Sequence, residues 1–222
     1  MDGREHYYTL ISSLPAMPRH FAVEQVPITQ TRLEKRLDML SDQDREAVEQ
    51  LRAFLLWDRQ PWDKTDEEVV AHYNELTASL KNSTAKQIAS RQLDIRIVLS
   101  GLRRRRKGMS PPIMAGRWGR HIKDNWQEAE FKLHWKYPWI ADVDRLIDDY
   151  DCKEVARILL EASWKYLGSL ADQVTFSFDA VLIYLARWEI IYRWTSLDAE
   201  KGRERFQQLV TESLDEYANQ YE

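Results

Sequence analysis

Cysteine occurs once in this chain, at Cys152, which excludes an intrachain disulfide and any cysteine-built zinc site. Glycine and proline are scarce, seven of each in 222 residues, and long stretches contain neither. An all-β fold needs frequent tight turns, and that scarcity argues against one. Long hydrophobic runs are missing as well. The most apolar stretch, Ala180 to Ala186, is followed at once by Arg187 and Glu189. A membrane-spanning helix needs about 20 apolar residues, so no direct span is expected. The opening MDGREHYYTL is too polar for the apolar core of a signal peptide. The expected location is therefore cytoplasmic, with any seat on the inner face of the plasma membrane reached through partners. Charge of one sign is also lacking: 32 Lys and Arg against 36 Asp and Glu leave a net −4. That balance reads as solvated helix faces, not as a polyelectrolyte built for nucleic acid.

What the chain does have is aromatic bulk and helical periodicity. Nine Trp, ten Tyr and six Phe can fill a sizeable core. Leu33, Leu37 and Leu40 recur at spacings of four and three from about Thr31 onward. Ser41 with Asp44 marks the start of a second helix carrying Val48, Leu51, Leu55 and Leu56, which should stop before Pro61. Thr65 with Glu68 forms a capping box for a third, with Val69, Tyr73, Leu76 and Leu80 on one face. Ser83 to Lys107 continues the pattern through Ile88, Ile95, Leu99 and Leu102. Gly108 is placed to end that helix, and Pro111-Pro112 to keep it from resuming. A helix is expected from about Asp124 to Pro138, a shorter one to about Tyr150, and three more over roughly 151–172, 178–196 and 199–219. Ser177 and Asp198 are positioned as N-caps of the last two.

The predicted fold is all-α, a multi-helix bundle in a single domain, 1–222. It divides into two packed lobes, 1–108 and 124–222, joined by the Gly- and Pro-containing segment 109–123. Tyr7 to Ser13 reads equally well as one short N-terminal strand or as the opening of a helix.

No GxxxxGK(S/T) phosphate loop, HExxH zinc pair or GxSxG nucleophile elbow is present, so no catalytic residue, cofactor site or metal site is assigned. His6, His20, His72, His121 and His134 are scattered, and only His134 has a carboxylate one turn away, Glu130. The acidic cluster Asp142, Asp144, Asp148, Asp149 and Asp151 lacks the Gly and terminal Glu of a calcium loop and reads as a solvated face.

The sharpest local feature is basic. Between Arg91 and Lys123 stand ten Lys or Arg and one acid, Asp94, so the remainder of the chain carries −13. Arg103, Arg104, Arg105, Arg106 and Lys107 occupy the last turn of a helix, where the carbonyl end of the dipole favours cations. With Arg117, Trp118 and Arg120 they form the candidate partner-binding set. An acidic protein surface is the expected partner, because the acidic remainder would repel a phosphate backbone. The alternative is an RNA-binding helical protein using residues 103–107, with Trp118 as a stacking group. An enzyme of unrecognised motif is the third reading.

Three stretches carry a family resemblance. Residues 93–108, LDIRIVLSGLRRRRKG, resemble a segment of the C subunit of V-type and A-type ATPases (the d subunit in eukaryotes), with Arg96 where that segment carries Asn. Residues 178–190, FDAVLIYLARWEI, resemble a late helix of the same proteins. The opening HYYTLISSLP, residues 6–15, is similar to a smaller bacterial family found with V-type ATPase genes. The resemblance implies a non-catalytic helical socket of a bacterial V-type ATPase. Its partners would be the central-stalk proteins and the membrane rotor ring, in proton or sodium transport linked to ATP.

Overall fold

Apolar residues at helical spacing decide which faces turn inward, and two segments are apolar on more than one face. Between Leu93 and Leu102 the buried set includes Leu93, Ile95, Ile97, Val98, Leu99 and Leu102, too wide a spread for one stripe. Between Val181 and Ile191 nearly every residue is buried. A helix that is apolar around most of its circumference belongs inside. These two helices are the centre of the molecule, and the amphipathic ones pack around them.

The computed structural model describes residues 7–55, 65–111, 116–148 and 151–197. In chain order the helices are α1 (Tyr8–Ser12), α2 (Gln30–Leu37), α3 (Asp42–Leu55), α4 (Asp66–Ser79), α5 (Ser83–Arg106), α6 (Gly116–Asp124), α7 (Ile140–Asp148) and α8 (Cys152–Ala171). A final helix, α9, covers 178–197. No strand runs among the described residues, and no helix there is long and apolar enough to cross a membrane. The fold is an all-α multi-helix bundle.

Caps account for the boundaries. The Thr65–Glu68 capping box is present at α4. The Ser41 hydroxyl accepts from Asp44 N–H at 3.3 Å before α3. Asn82 caps α5 by accepting from Ala85 N–H at 2.8 Å, and its amide donates to Asp179 at the start of α9. One side chain thus starts one central helix and ties it to the other. Asp151 caps α8 through Glu154 N–H. Gly108 takes φ +65° just past α5, the left-handed stop expected of it. Long-range indole bonds hold the coil before α2: Trp188 donates to Ile28 O at 2.8 Å and Trp164 to Arg19 O at 3.3 Å.

Two expectations are corrected. Residues 8–12 form a one-turn helix, so the strand alternative for Tyr7 to Ser13 does not hold. The helix expected from Asp124 to Pro138 is absent. Helix α6 begins earlier, at Gly116, and stops at Asp124, after which a single 3₁₀ turn spans Ala129–Lys132. Glu130, Phe131 and Lys132 there have φ of 52°, 52° and 55°. Successive left-handed residues other than Gly are costly, about 1–2 kcal/mol each. The compensation is Phe131, fully buried against Gly101 of α5, stacked on Trp126 at 5.5 Å and covered by the Arg105 guanidinium at 4.4 Å. Burial of one large aromatic, worth about 1.5–3 kcal/mol, offsets part of this cost, and the ring stacking and guanidinium cover add to that offset. The segment 109–123 is described at 109–111 and 116–123. Its helical part packs on α5 with Ile122 fully buried. The expected helix over 199–219, with its cap Asp198, lies outside the described residues, as do Leu56 and Pro61.

Candidate protein-binding site

The basic run lies on the last turns of α5, and helical geometry distributes its side chains around the axis. Two of them turn toward the protein. Arg105 donates to Glu128 O at 2.8 Å, approaches Asp144 at 3.4 Å and covers the Phe131 ring. Arg106 pairs with Asp144 at 3.0 Å. Asp144 therefore serves as an internal counter-ion, clamping α7 to the end of α5, where the sequence suggested a solvated face. Arg104 turns back to its own C-terminal loop, donating to Ser110 O at 2.9 Å. Arg103 and Lys107, one turn apart, are both exposed.

The remaining members of the candidate set lie on α6. Arg117 is bound in two places to Asp94, through Nη2 at 2.9 Å and Nε at 3.2 Å. Asp94 is 1% exposed, and the Tyr137 hydroxyl donates to the same carboxylate oxygen at 3.0 Å. The hydrogen bond to Asp94 raises the Arg117 pKa above its usual value, against a smaller opposing effect of burial. Burial first, and then the Asp94 charge, push the Tyr137 phenol up to about 12. A carboxylate inside a helical core is tolerable only when so partnered. This cluster is a pin between α5, α6 and the segment before α7. Trp118 is half-buried and meets His121, Trp135 and Tyr137 edge-on, with ring centroids 5.6, 6.1 and 6.0 Å away. Arg120 is exposed. The structure thus brings Arg103 and Lys107 together on one surface, places Arg105 and Arg106 at an internal joint, and sets Arg117 and Trp118 apart on α6.

Beside Arg103 and Lys107 opens a groove of about 580 Å³ between α5, α8 and the end of α9. Its floor is apolar, lined by Ile95, Leu99, Ile147, Val155 and Leu159, of which Ile95, Leu99 and Val155 are buried. Arg193 adds a third cation to its lining, and the exposed thiol of Cys152 lies at one end. Among the described residues no carboxylate lines it. Sequence reasoning missed the groove because Arg193 is far away in the chain and α8 reads as one amphipathic helix. The usable signal was the run Val155, Ile158, Leu159, Leu160, Ala162, which is broader than one buried stripe requires.

Two further buried charges hold elements together. Glu189 of α9 is 5% exposed and accepts from Arg52 Nε at 2.8 Å, while Arg52 Nη1 reaches Glu34 at 2.7 Å. Arg96 donates to Phe54 O at 2.8 Å and covers the Phe54 ring at 4.8 Å. Burial, with a further contribution from the Arg193 charge, lowers its pKa to about 10. Among the described residues no group of three or more His, Cys, Asp or Glu is placed to hold a metal ion. The Glu130 carboxylate and His134 Nδ1 are 4.0 Å apart, an ordinary exposed pair.

A family model described as a protein of unknown function, DUF2764, matches residues 58–216, more than two thirds of the chain. No curated protein and no solved structure matches it.

Proposed function

With the chain a member of the DUF2764 family, we propose that it is a non-catalytic, protein-binding subunit of a bacterial V-type ATPase, coupling the central stalk to the membrane rotor ring. The observation that carries the protein-binding part is the division of the basic run. Arg105 and Arg106 are consumed by Asp144, while Arg103 and Lys107 stand exposed. Exposed cations suit an acidic protein surface, since complementary charge steers and orients association. Nucleic acid would instead favour cations interleaved with open aromatic faces. Trp118, the stacking group such a reading needs, is enclosed edge-on by three rings. The ATPase assignment itself rests on the resemblance of residues 93–108 and 178–190.

A coupling element must transmit force without yielding, and dense helical cores are stiff. Three charged joints suit such an element. They are Asp94 with Arg117 and Tyr137, Asp144 with Arg105 and Arg106, and Glu189 with Arg52. The test is affinity purification of the tagged full-length chain from its native host. ATPase subunits should co-elute with the wild type. Their absence at low salt, with RNA recovered in their place, would overturn the reading in favour of the nucleic-acid one.

A further inference from the structure

Away from the basic run, a cavity of about 320 Å³ opens between α1, the coil that follows it, the turn before α9 and α9 itself. Small-molecule pockets begin at about 300 Å³, so the volume suits a compact ligand. The wall is apolar and partly open. Ile11, Met17 and Val174 are half-buried, Phe176 is 38% exposed, and Ile183 is buried.

Two polar side chains of α9, Tyr184 and Arg187, belong to this wall. Three residues apart, they share one face of the helix. The Tyr184 hydroxyl and the Arg187 Nε are closed to solvent, and neither has a hydrogen-bond partner among the described residues. The Arg187 guanidinium lies over the Trp164 ring, 4.0 Å from its centroid, and forms no ion pair among those residues. Burial alone pushes the Tyr184 phenol up to about 12. Burial also lowers the Arg187 pKa, against the opposing charge of Asp172. Buried donors without acceptors are costly, and two of them at one apolar cavity call for an acceptor. A carboxylate accepts from both donors and matches the guanidinium charge. An aliphatic tail on that carboxylate covers the open apolar wall.

We propose that this cavity binds a small aliphatic carboxylate, its head on Arg187 and Tyr184 and its tail against Ile11, Met17, Val174 and Ile183. Because both donors are closed to water in the free chain, binding includes a turn of these side chains toward the head. The site is separate from the basic run and does not depend on the protein-binding reading.

The probe is octanoate, titrated into the full-length chain by calorimetry beside octan-1-ol, octylammonium and acetate. Octanoate should bind saturably, one per chain, and raise the melting temperature. The alcohol lacks the charge, the ammonium is repelled and acetate lacks the tail, so each should bind at least about tenfold more weakly. Arg187→Gln should weaken octanoate at least about tenfold as well. Ala180 is half-buried in the wall, and Ala180→Phe should abolish binding by filling the cavity. Tyr184→Phe should weaken octanoate without lowering the melting temperature of the free chain, because the hydroxyl it removes has no bond to lose.

Octanol or octylammonium binding as tightly as octanoate overturns the proposal. So does octanoate affinity that survives Ala180→Phe and Tyr184→Phe unchanged, since the ligand then sits elsewhere; this holds even if Arg187→Gln fails to fold. A melting temperature lowered by octanoate marks detergent action and overturns it too. No binding by any probe overturns it, and a destabilised Tyr184→Phe chain would then identify the occupant as a structural water.

Discussion

Asp94 shows how much a single side chain can bear. It is the lone acid among ten cations in sequence, and in space it is fully enclosed, with Arg117 and Tyr137 on one oxygen. Asp94→Ala removes the acceptor from the buried Tyr137 hydroxyl, whereas Arg117, more than half exposed, can turn to water. The expected cost is about 1–3 kcal/mol in urea unfolding, the penalty of one buried unsatisfied donor and its lost bonds. Tyr137→Phe should cost less, and the pair should couple in a double-mutant cycle. The same phenol predicts an alkaline limb. Its pKa rises from 10.0 to about 12 on folding, so it is protonated in both states below pH 10. Between pH 10 and 12 the unfolded chain releases this proton while the native one keeps it, and stability falls as pH rises. The loss approaches about 2–3 kcal/mol across that window, and Tyr137→Phe should flatten it. Equal alkaline slopes in wild type and variant would contradict this assignment. Sequence spacing marked Asp94 as unusual, but nothing local paired it with Tyr137, which is 43 residues away.

At the scale of elements, the turn at Ala129–Lys132 is where local preference and tertiary packing conflict. The stretch from Asp124 to Pro138 contains ordinary helix formers, and the left-handed geometry appears only because Phe131 is drawn onto Gly101. A glycine at Lys132 removes the strain of φ 55°, and the side chain it sacrifices makes only an exposed pair with Glu128. Lys132→Gly should therefore stabilise by about 0.5–1 kcal/mol after the entropy cost of glycine, a rise of roughly 1–3 °C in melting temperature. Lys132→Val should move it the other way. Capping is the opposite case, in which local sequence and tertiary structure agree. The Thr65–Glu68 box and the Gly108 stop were legible because each satisfies backbone groups of its own helix end. Asn82 was missed as a cap although it is the residue just before the helix. Asn82→Ala should cost about 1–2 kcal/mol, the upper part of the capping range, because the amide also holds Asp179.

Across the whole molecule, five consecutive cations that look equivalent in sequence have different roles. Reversing Arg105 to Glu breaks a bond to Glu128 O, loses the cover over Phe131 and sets a second carboxylate against Asp144. An expected loss of about 2–4 kcal/mol follows from a partly buried pair broken and inverted. Reversing Arg103 and Lys107 together should cost no more than about 2 kcal/mol, chiefly the helix-dipole contribution of each, yet it should disrupt partner binding. Thermal denaturation beside affinity purification separates the two. A strongly destabilised Arg103→Glu, Lys107→Glu chain would show that these cations also belong to the internal framework.

By itself the sequence determined the helical class, the inward stripes, some of the caps and the place of the basic run. Each follows from periodicity or from groups within about four residues of one another, where chain connectivity leaves little freedom. Only the tertiary structure decided which cations face inward, that Asp144 is an internal counter-ion, that residues 125–138 abandon the helix, and that α5, α8 and α9 leave a groove between them. Those outcomes depend on contacts between residues tens of positions apart. Their energies arise only when surfaces from different helices meet, and no local pattern encodes that meeting.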